Sequence, residues 1–169
     1  MTKIFLIFLL VSSSSFAYES EDELKVVLTG KIAKFITWQG DGEAKFVITV
    51  IKNPYKNLFE KKYKNKKIKN KPVLIKYIDD ISDLSFTNIL YIPKVTSKEL
   101  SSILKKTTQK NILTVSTMRA FAQKGGAVQL FFVSQKGRLK INLDVIKKEN
   151  FKVKSSFIRI SEVVKGMVY

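Results

Sequence analysis

The chain offers few residues that could do covalent chemistry. It has no histidine and no cysteine. That removes Ser-His-Asp and Cys-His nucleophilic sites and the commonest zinc ligands. No P-loop is present, and Gly125-Gly126 lacks the further glycine and helix of a dinucleotide-binding turn. Ser116 has no evident general base, and a Ser-Lys pair would be a coincidence in so lysine-rich a chain. Asp79, Asp80 and Asp83 lie close enough in sequence to suggest a divalent cation. Adjacent carboxylates point different ways, however, and no glycine-containing loop of calcium-binding spacing surrounds them, so the stretch reads as a plain acidic loop. The chemistry left is binding: the residues assign no catalytic activity, no metal and no cofactor.

Charge is the other conspicuous feature. The chain holds 31 basic and 14 acidic residues, a formal net charge of +17. Only Arg119, Arg138 and Arg159 are arginines, the residue usually chosen for bidentate phosphate or base-edge recognition. The densest basic run, Lys61 to Lys71, reads KKYKNKKIKNK, with Tyr63 and Ile68 among the lysines. Basic residues interleaved with an aromatic suit nucleic acid or lipid. A lysine-dominated run more often forms a solvated surface, so it reads as an exposed helix end and a loop into the next strand. Nucleic acid is not expected as a partner. Attraction to anionic headgroups or acidic protein surfaces is compatible with the charge.

Residues 1–17 look like a secretory signal peptide. Lys3 gives the positive start, Ile4 to Val11 an apolar core, and Ser15-Phe16-Ala17 a small-x-small cleavage site before Tyr18. The apolar core is much shorter than the roughly 20 residues of a spanning helix. Residues 18–169 then form one exported domain, with no disulfide to support its core.

The elements that would position any binding residue follow from periodicity. Glu19 to Trp38 reads as a first helix, with Leu24, Val27, Leu28, Ile32, Phe35 and Ile36 on one face and a Ser20/Glu23 capping box. Trp38, which closes it, reads first as a core or rim aromatic. Phe46 to Ile51 is an apolar run consistent with a buried central strand. Tyr55, Leu58 and Phe59 mark a short helix, Val73 to Ile78 and Ile89 to Ile92 two strands, and Thr96 or Ser97 caps a helix through Thr107. The organising segment is Asn111 to Asp144. It predicts a strand at Ile112 to Val115, a short helix capped by Ser116 or Thr117 and stopped by Gly125-Gly126, and a strand at Val128 to Val133. A turn at Gln135 to Arg138 then leads into a half-buried strand through Leu139 and Ile141. A short helix follows at Asp144 to Lys148, then an extended link at Phe151 to Lys154 and a final helix from Ser155-Ser156 to Val164. Strands alternating with helices, then a hairpin, predict a single three-layer α/β domain with a mixed β-sheet flanked by helices.

The order of these pieces resembles the YfiR/HmsC family of small periplasmic regulators. The resemblance is carried by Leu113-Thr114-Val115-Ser116, Ala120-Phe121-Ala122, Gly125-Gly126, the apolar strand Val128 to Phe132, and Arg138 leading into Ile141-Asn142. Lys34, Phe35 and Trp38 match the family's K-F-x-x-W-P, with Gln39 in place of the proline and Lys31 where an asparagine is common. Ser155-Ser156, Phe157-Ile158, Ile160 and Val163-Val164 match its closing pattern, with Ser161 at the usual alanine. The resemblance spans about Leu24 to Val164. Family members often have cysteine pairs, and their redox behaviour does not carry over to a chain without them.

The resemblance implies an exported, non-catalytic regulator. Such a protein restrains an inner-membrane diguanylate cyclase by contacting its periplasmic region, lowering cyclic-di-GMP and biofilm formation. Release by an outer-membrane protein, and a sensor kinase in place of the cyclase, are further expectations, and a second copy of the chain is also a candidate partner. The other reading is a periplasmic small-ligand binding protein, with a crevice at the switch point of an α/β sheet and a lysine-rich rim that favours anions. Candidate partner- or ligand-binding residues are Lys34, Trp38, Arg119 and Asn142. Phe35, Phe121 and the glycine pair read as fold residues.

Overall fold

The computed structural model describes residues 20–40, 42–134 and 136–169. The signal-peptide reading of residues 1–17 lies outside them. In chain order the elements are α1 (Glu21–Lys31), a 3-10 turn (Ile32–Phe35), β1 (Ile36–Thr37), β2 (Phe46–Ile51), α2 (Leu58–Tyr63), β3 (Lys67–Ile68) and β4 (Lys71–Ile78). A 3-10 turn (Ile81–Asp83), β5 (Ile89–Ile92), α3 (Ser97–Thr107), β6 (Leu113–Ser116), β7 (Val128–Val133) and β8 (Lys136–Asn142) follow. The chain closes with α4 (Leu143–Lys148), β9 (Lys152–Val153), α5 (Ser155–Ile160) and β10 (Glu162–Val164).

Eight strands form one mixed sheet in the order β10-β8-β7-β6-β5-β2-β4-β3, and β1 pairs with β9 in a separate two-stranded ribbon. Strands β4, β2, β5, β6 and β7 run parallel, whereas β8 is antiparallel to β7. The chain leaves β2 toward one edge and leaves β5 toward the other. Right-handed crossovers therefore put α2 and α3 on opposite faces, which makes the three layers. Alternation along β5 shows it: Ile89 and Tyr91 join the core beneath α1, α2, α4 and α5, while Leu90 and Ile92 join the one beneath α3. The apolar run in β2 is buried at every position, as its double coverage requires.

Capping follows the sequence. The Ser20 hydroxyl accepts from the Glu23 amide at 3.2 Å, and the Thr96 hydroxyl accepts from the Glu99 amide at 3.2 Å. In the acidic loop, the Asp80 carboxylate accepts from the Ser82 amide at 2.7 Å.

Four expectations are corrected. The first helix is α-helical only over Glu21–Lys31; it tightens into the 3-10 turn, and Ile36 and Thr37 are extended because they pair with Val153 and Lys152. The predicted short helix after Ser116 is a chain of turns. The Ser116 hydroxyl accepts from the Met118 amide at 3.1 Å, but Ala120 is left-handed (φ 56°), which a continuing helix cannot accommodate. The hairpin is tighter than expected, since Val133 already pairs with Lys136; Gln135 lies outside the described residues. The final helix ends at Ile160, because Glu162 to Val164 pair in parallel with Lys140 to Asn142 and extend the sheet.

The C-terminal half converges on one fully buried side chain. The Asn142 carboxamide oxygen accepts from the Asp144 and Val145 amides at 3.1 and 3.2 Å, capping α4. Its nitrogen donates to the Ala122 carbonyl at 2.9 Å and the Met167 carbonyl at 3.3 Å. Leaving these buried groups without partners is costly. Asn142→Ala is expected to lower stability by roughly 2–4 kcal/mol in urea unfolding, with the slope of the transition unchanged.

Candidate functional site

A cavity of about 390 Å³ opens between α1, the end of α2 and the β3–β4 hairpin. Positions 27, 30, 31 and 34, spaced three and four apart along α1 and the turn after it, form one wall. Val27, Gly30, Lys31 and Lys34 occupy them. Lys62, Tyr63 and Lys66 come from α2 and its exit, and Lys67, Ile68 and Lys69 from the hairpin. The hairpin is built by a two-residue turn in which Lys69 and Asn70 both take positive φ (54° and 63°), the geometry that matches strand twist.

Tyr63 is the keystone of this wall. The Gly30 amide donates to its hydroxyl at 2.8 Å, and the hydroxyl donates to the Val26 carbonyl at 2.8 Å. In an unbroken helix that amide would bond that carbonyl directly. The phenol is therefore inserted into the hydrogen-bond ladder of α1, a recognised cause of helix distortion, and the 3-10 turn begins two residues later. Glycine is required at position 30 by contact rather than by conformation: a Cβ there would lie on the Tyr63 ring. Burial raises the Tyr63 hydroxyl well above the ordinary tyrosine value.

The cavity is cationic at its rim and apolar at its floor. Lys62 pairs with Glu23 at 3.2 Å. Burial, and secondarily the charge of Lys154, lowers the pKa of Lys69. Among the described residues, no aspartate or glutamate lines the cavity. The lining side chains suit electrostatic binding of an anion together with apolar contact.

Of the four residues singled out in the sequence, Lys34 alone lines this cavity. Trp38 is 8 % exposed, with its indole N–H donating to the Asn88 carbonyl at 3.2 Å and its ring edge-on to Phe46 and Phe151. It is a core aromatic. Asn142 is the buried cap described above. Arg119 is exposed on the turns after β6. The residues that sequence reasoning missed are Gly30, Tyr63 and Ile68. A glycine inside a helical pattern signals close packing, and Tyr55, Phe59 and Tyr63 repeat every four residues, marking an inward aromatic stripe.

The family model described as YfiR/HmsC-like matches residues 22–162. The chain belongs to the YfiR/HmsC-like family. This is a family of periplasmic, non-catalytic regulators. No curated protein matches the chain. Among solved structures, it is similar to a ligand-free, open substrate-binding protein with adhesive properties from Clostridium difficile, at 15% identity and TM-score 0.52 over 72% of this chain and 55% of that one. It is also similar to an ABC domain in complex with L-Trp from Streptococcus pneumoniae, at 8% identity and TM-score 0.56 over 83% of this chain and 62% of that one. The chain thus spans little more than half the length of these structures, and at such identities the likeness is one of fold. No helix among the described residues is long and apolar enough to cross a membrane.

Tyr63→Phe is expected to cost about 1–3 kcal/mol, because the Gly30 amide and Val26 carbonyl lose their shared partner. The raised Tyr63 value also fixes a sign. The folded state holds the phenol protonated, so its stabilisation is complete below the unfolded value of about 10 and is lost as pH rises above it. Urea titrations of both forms between pH of about 8 and about 11 should show a steeper alkaline loss in the native chain than in Tyr63→Phe.

Proposed function

We propose that this chain is an exported repressor that holds an inner-membrane diguanylate cyclase in its inactive state by contact with the cyclase's periplasmic region, and that the α1–α2 cavity is its input. Family membership supports a periplasmic regulator. The observation that carries the regulatory reading is the cavity itself: a small-molecule-sized space whose wall residue Tyr63 is hydrogen-bonded into α1. An occupant that presses on Tyr63 acts on the path of α1 and the turn after it.

The mechanism is a population shift. The repressor binds the inactive cyclase more tightly than the active one, and each tenfold preference is about 1.4 kcal/mol. A ligand that binds the free repressor better than the cyclase-bound form releases the cyclase, and by reciprocity the cyclase weakens the ligand. An outer-membrane protein that sequesters the repressor, or a homodimer that occupies the same surface, would act through the same balance. A sensor kinase in place of the cyclase is compatible with the same site.

The test is cellular cyclic-di-GMP in a strain lacking the protein, with add-back of the full chain or of a form without residues 1–17. Cyclic-di-GMP is expected to rise on deletion and to be restored only by the full chain. An unchanged level across growth conditions overturns the cyclase reading and leaves a kinase partner or simple ligand binding in its place.

A further inference from the structure

The run KKYKNKKIKNK behaves differently in the fold than on paper. Tyr63 and Ile68, spacers in the sequence, become the apolar floor, and Lys62, Lys66, Lys67 and Lys69 become the rim. Lys31 and Lys34 complete that rim from the end of α1 and the 3-10 turn after it. Six lysines from separate parts of the chain therefore line one concavity, and Lys62 is the one whose carboxylate partner is Glu23. Among the described residues, none of Lys31, Lys34, Lys66, Lys67 and Lys69 has a carboxylate within ion-pairing distance. A solvated lysine face disperses its charges over convex surface. Here they surround a recess, and two neighbours, Lys69 and Lys154, already repel each other.

We infer that this cavity binds an amphiphilic organic anion, an apolar body carrying phosphate or more than one carboxylate. This rests on the reading of the cavity as the repressor's input site. Each half of the ligand is set by a different part of the wall. Val27, Ile68 and the Tyr63 ring offer nothing to a bare inorganic ion but remove water from an apolar body. The lysines offer nothing to a neutral molecule. Among the described residues the lining has no carboxylate, so a zwitterionic amino acid would leave its ammonium group unmatched among like charges. Lysine ammonium groups are point charges on flexible stems and impose no planar fork. They therefore accept the tetrahedral oxygens of a phosphate or the divergent ones of a dicarboxylate. The volume of about 390 Å³ lies in the range of small-molecule sites. Two sources supply this chemistry, a soluble metabolite and the headgroup region of an anionic lipid.

The test is titration calorimetry on the protein recovered after export by its host. The probes are 1-naphthyl phosphate, 1-naphthol, inorganic phosphate and tryptophan. Naphthyl phosphate is expected to bind at least tenfold more tightly than any of the other three, and its affinity to fall with added salt. Lys34→Glu combined with Lys69→Glu should weaken it at least tenfold. Lys94→Glu combined with Lys110→Glu, two exposed lysines outside the cavity, should leave it unchanged while altering net charge equally. Circular dichroism checks that all variants are folded, and Ile68→Asp repeats the test from the apolar side. Naphthyl phosphate binding no tighter than inorganic phosphate, or equal weakening by both lysine pairs, overturns the inference in favour of bulk attraction to a basic surface. Competition by phosphatidylglycerol vesicles, absent with phosphatidylcholine, assigns the lipid source; its absence assigns the soluble one. If naphthyl phosphate fails to bind while deletion still raises cyclic-di-GMP, the ligand class falls and the repressor reading stands. The reverse pattern retains the ligand and removes the cyclase.

Discussion

One phenol stands in for a peptide carbonyl inside α1, and much of the first half of the fold depends on it. By accepting from Gly30 and donating to Val26, Tyr63 ties α2 to α1 across a sequence separation of more than thirty residues. The same contact demands a glycine in a helix interior, where glycine is ordinarily unfavourable, and it fixes where the regular helix gives way to a 3-10 turn. That turn delivers Ile36 and Thr37 to their partners near the other end of the chain. A local substitution for a backbone hydrogen bond thereby decides both the shape of the cavity and the closure of the small ribbon. A buried phenol in this role must remain protonated, and its raised pKa is the electrostatic expression of the same constraint.

The second half is organised by an analogous device. Asn142 uses both lone-pair directions of its oxygen and both protons of its nitrogen. It caps α4, fastens the turns after β6 and holds the backbone at Met167. A carboxamide suits this position because it donates and accepts at once. The Gly125-Gly126 pair serves the same region: Gly125 takes φ 96°, and a Cβ on Gly126 would meet the Phe121 ring. The sequence motif that marks the family is therefore largely a packing solution. Asn142 and Trp38, which its pattern brings forward as candidate binding residues, are enclosed by the core.

What was legible in the sequence is what local rules govern. The apolar run of β2, the caps at Ser20 and Thr96, and the period-2 face of β8 each express a preference that neighbours in sequence enforce. The illegible parts are set at a distance. Nothing near Lys31 says that a tyrosine on another helix will end α1. Ala120 in a left-handed conformation breaks no pattern visible in its own residues. Val163 and Val164 suit a helix face as well as a strand, and the open side of β8 decides between them. In the candidate site Lys34 was legible through its motif. Tyr63 and Ile68 were hidden because a run dense in lysine is read for its charges, whereas their role lies in the floor those charges surround.

Trp38 is the chain's single tryptophan. Its ring stands edge-on to Phe46 from a central strand and to Phe151 from the C-terminal half, with ring centroids 5.3 and 5.6 Å apart, and its N–H is held by the backbone just before β5. Segments from three distant parts of the chain thus meet at one indole that does not line the cavity. The protein thus carries one indole fluorophore beside its six tyrosines, placed in a dry environment at the junction of its halves. Its emission colour reports whether those halves are joined.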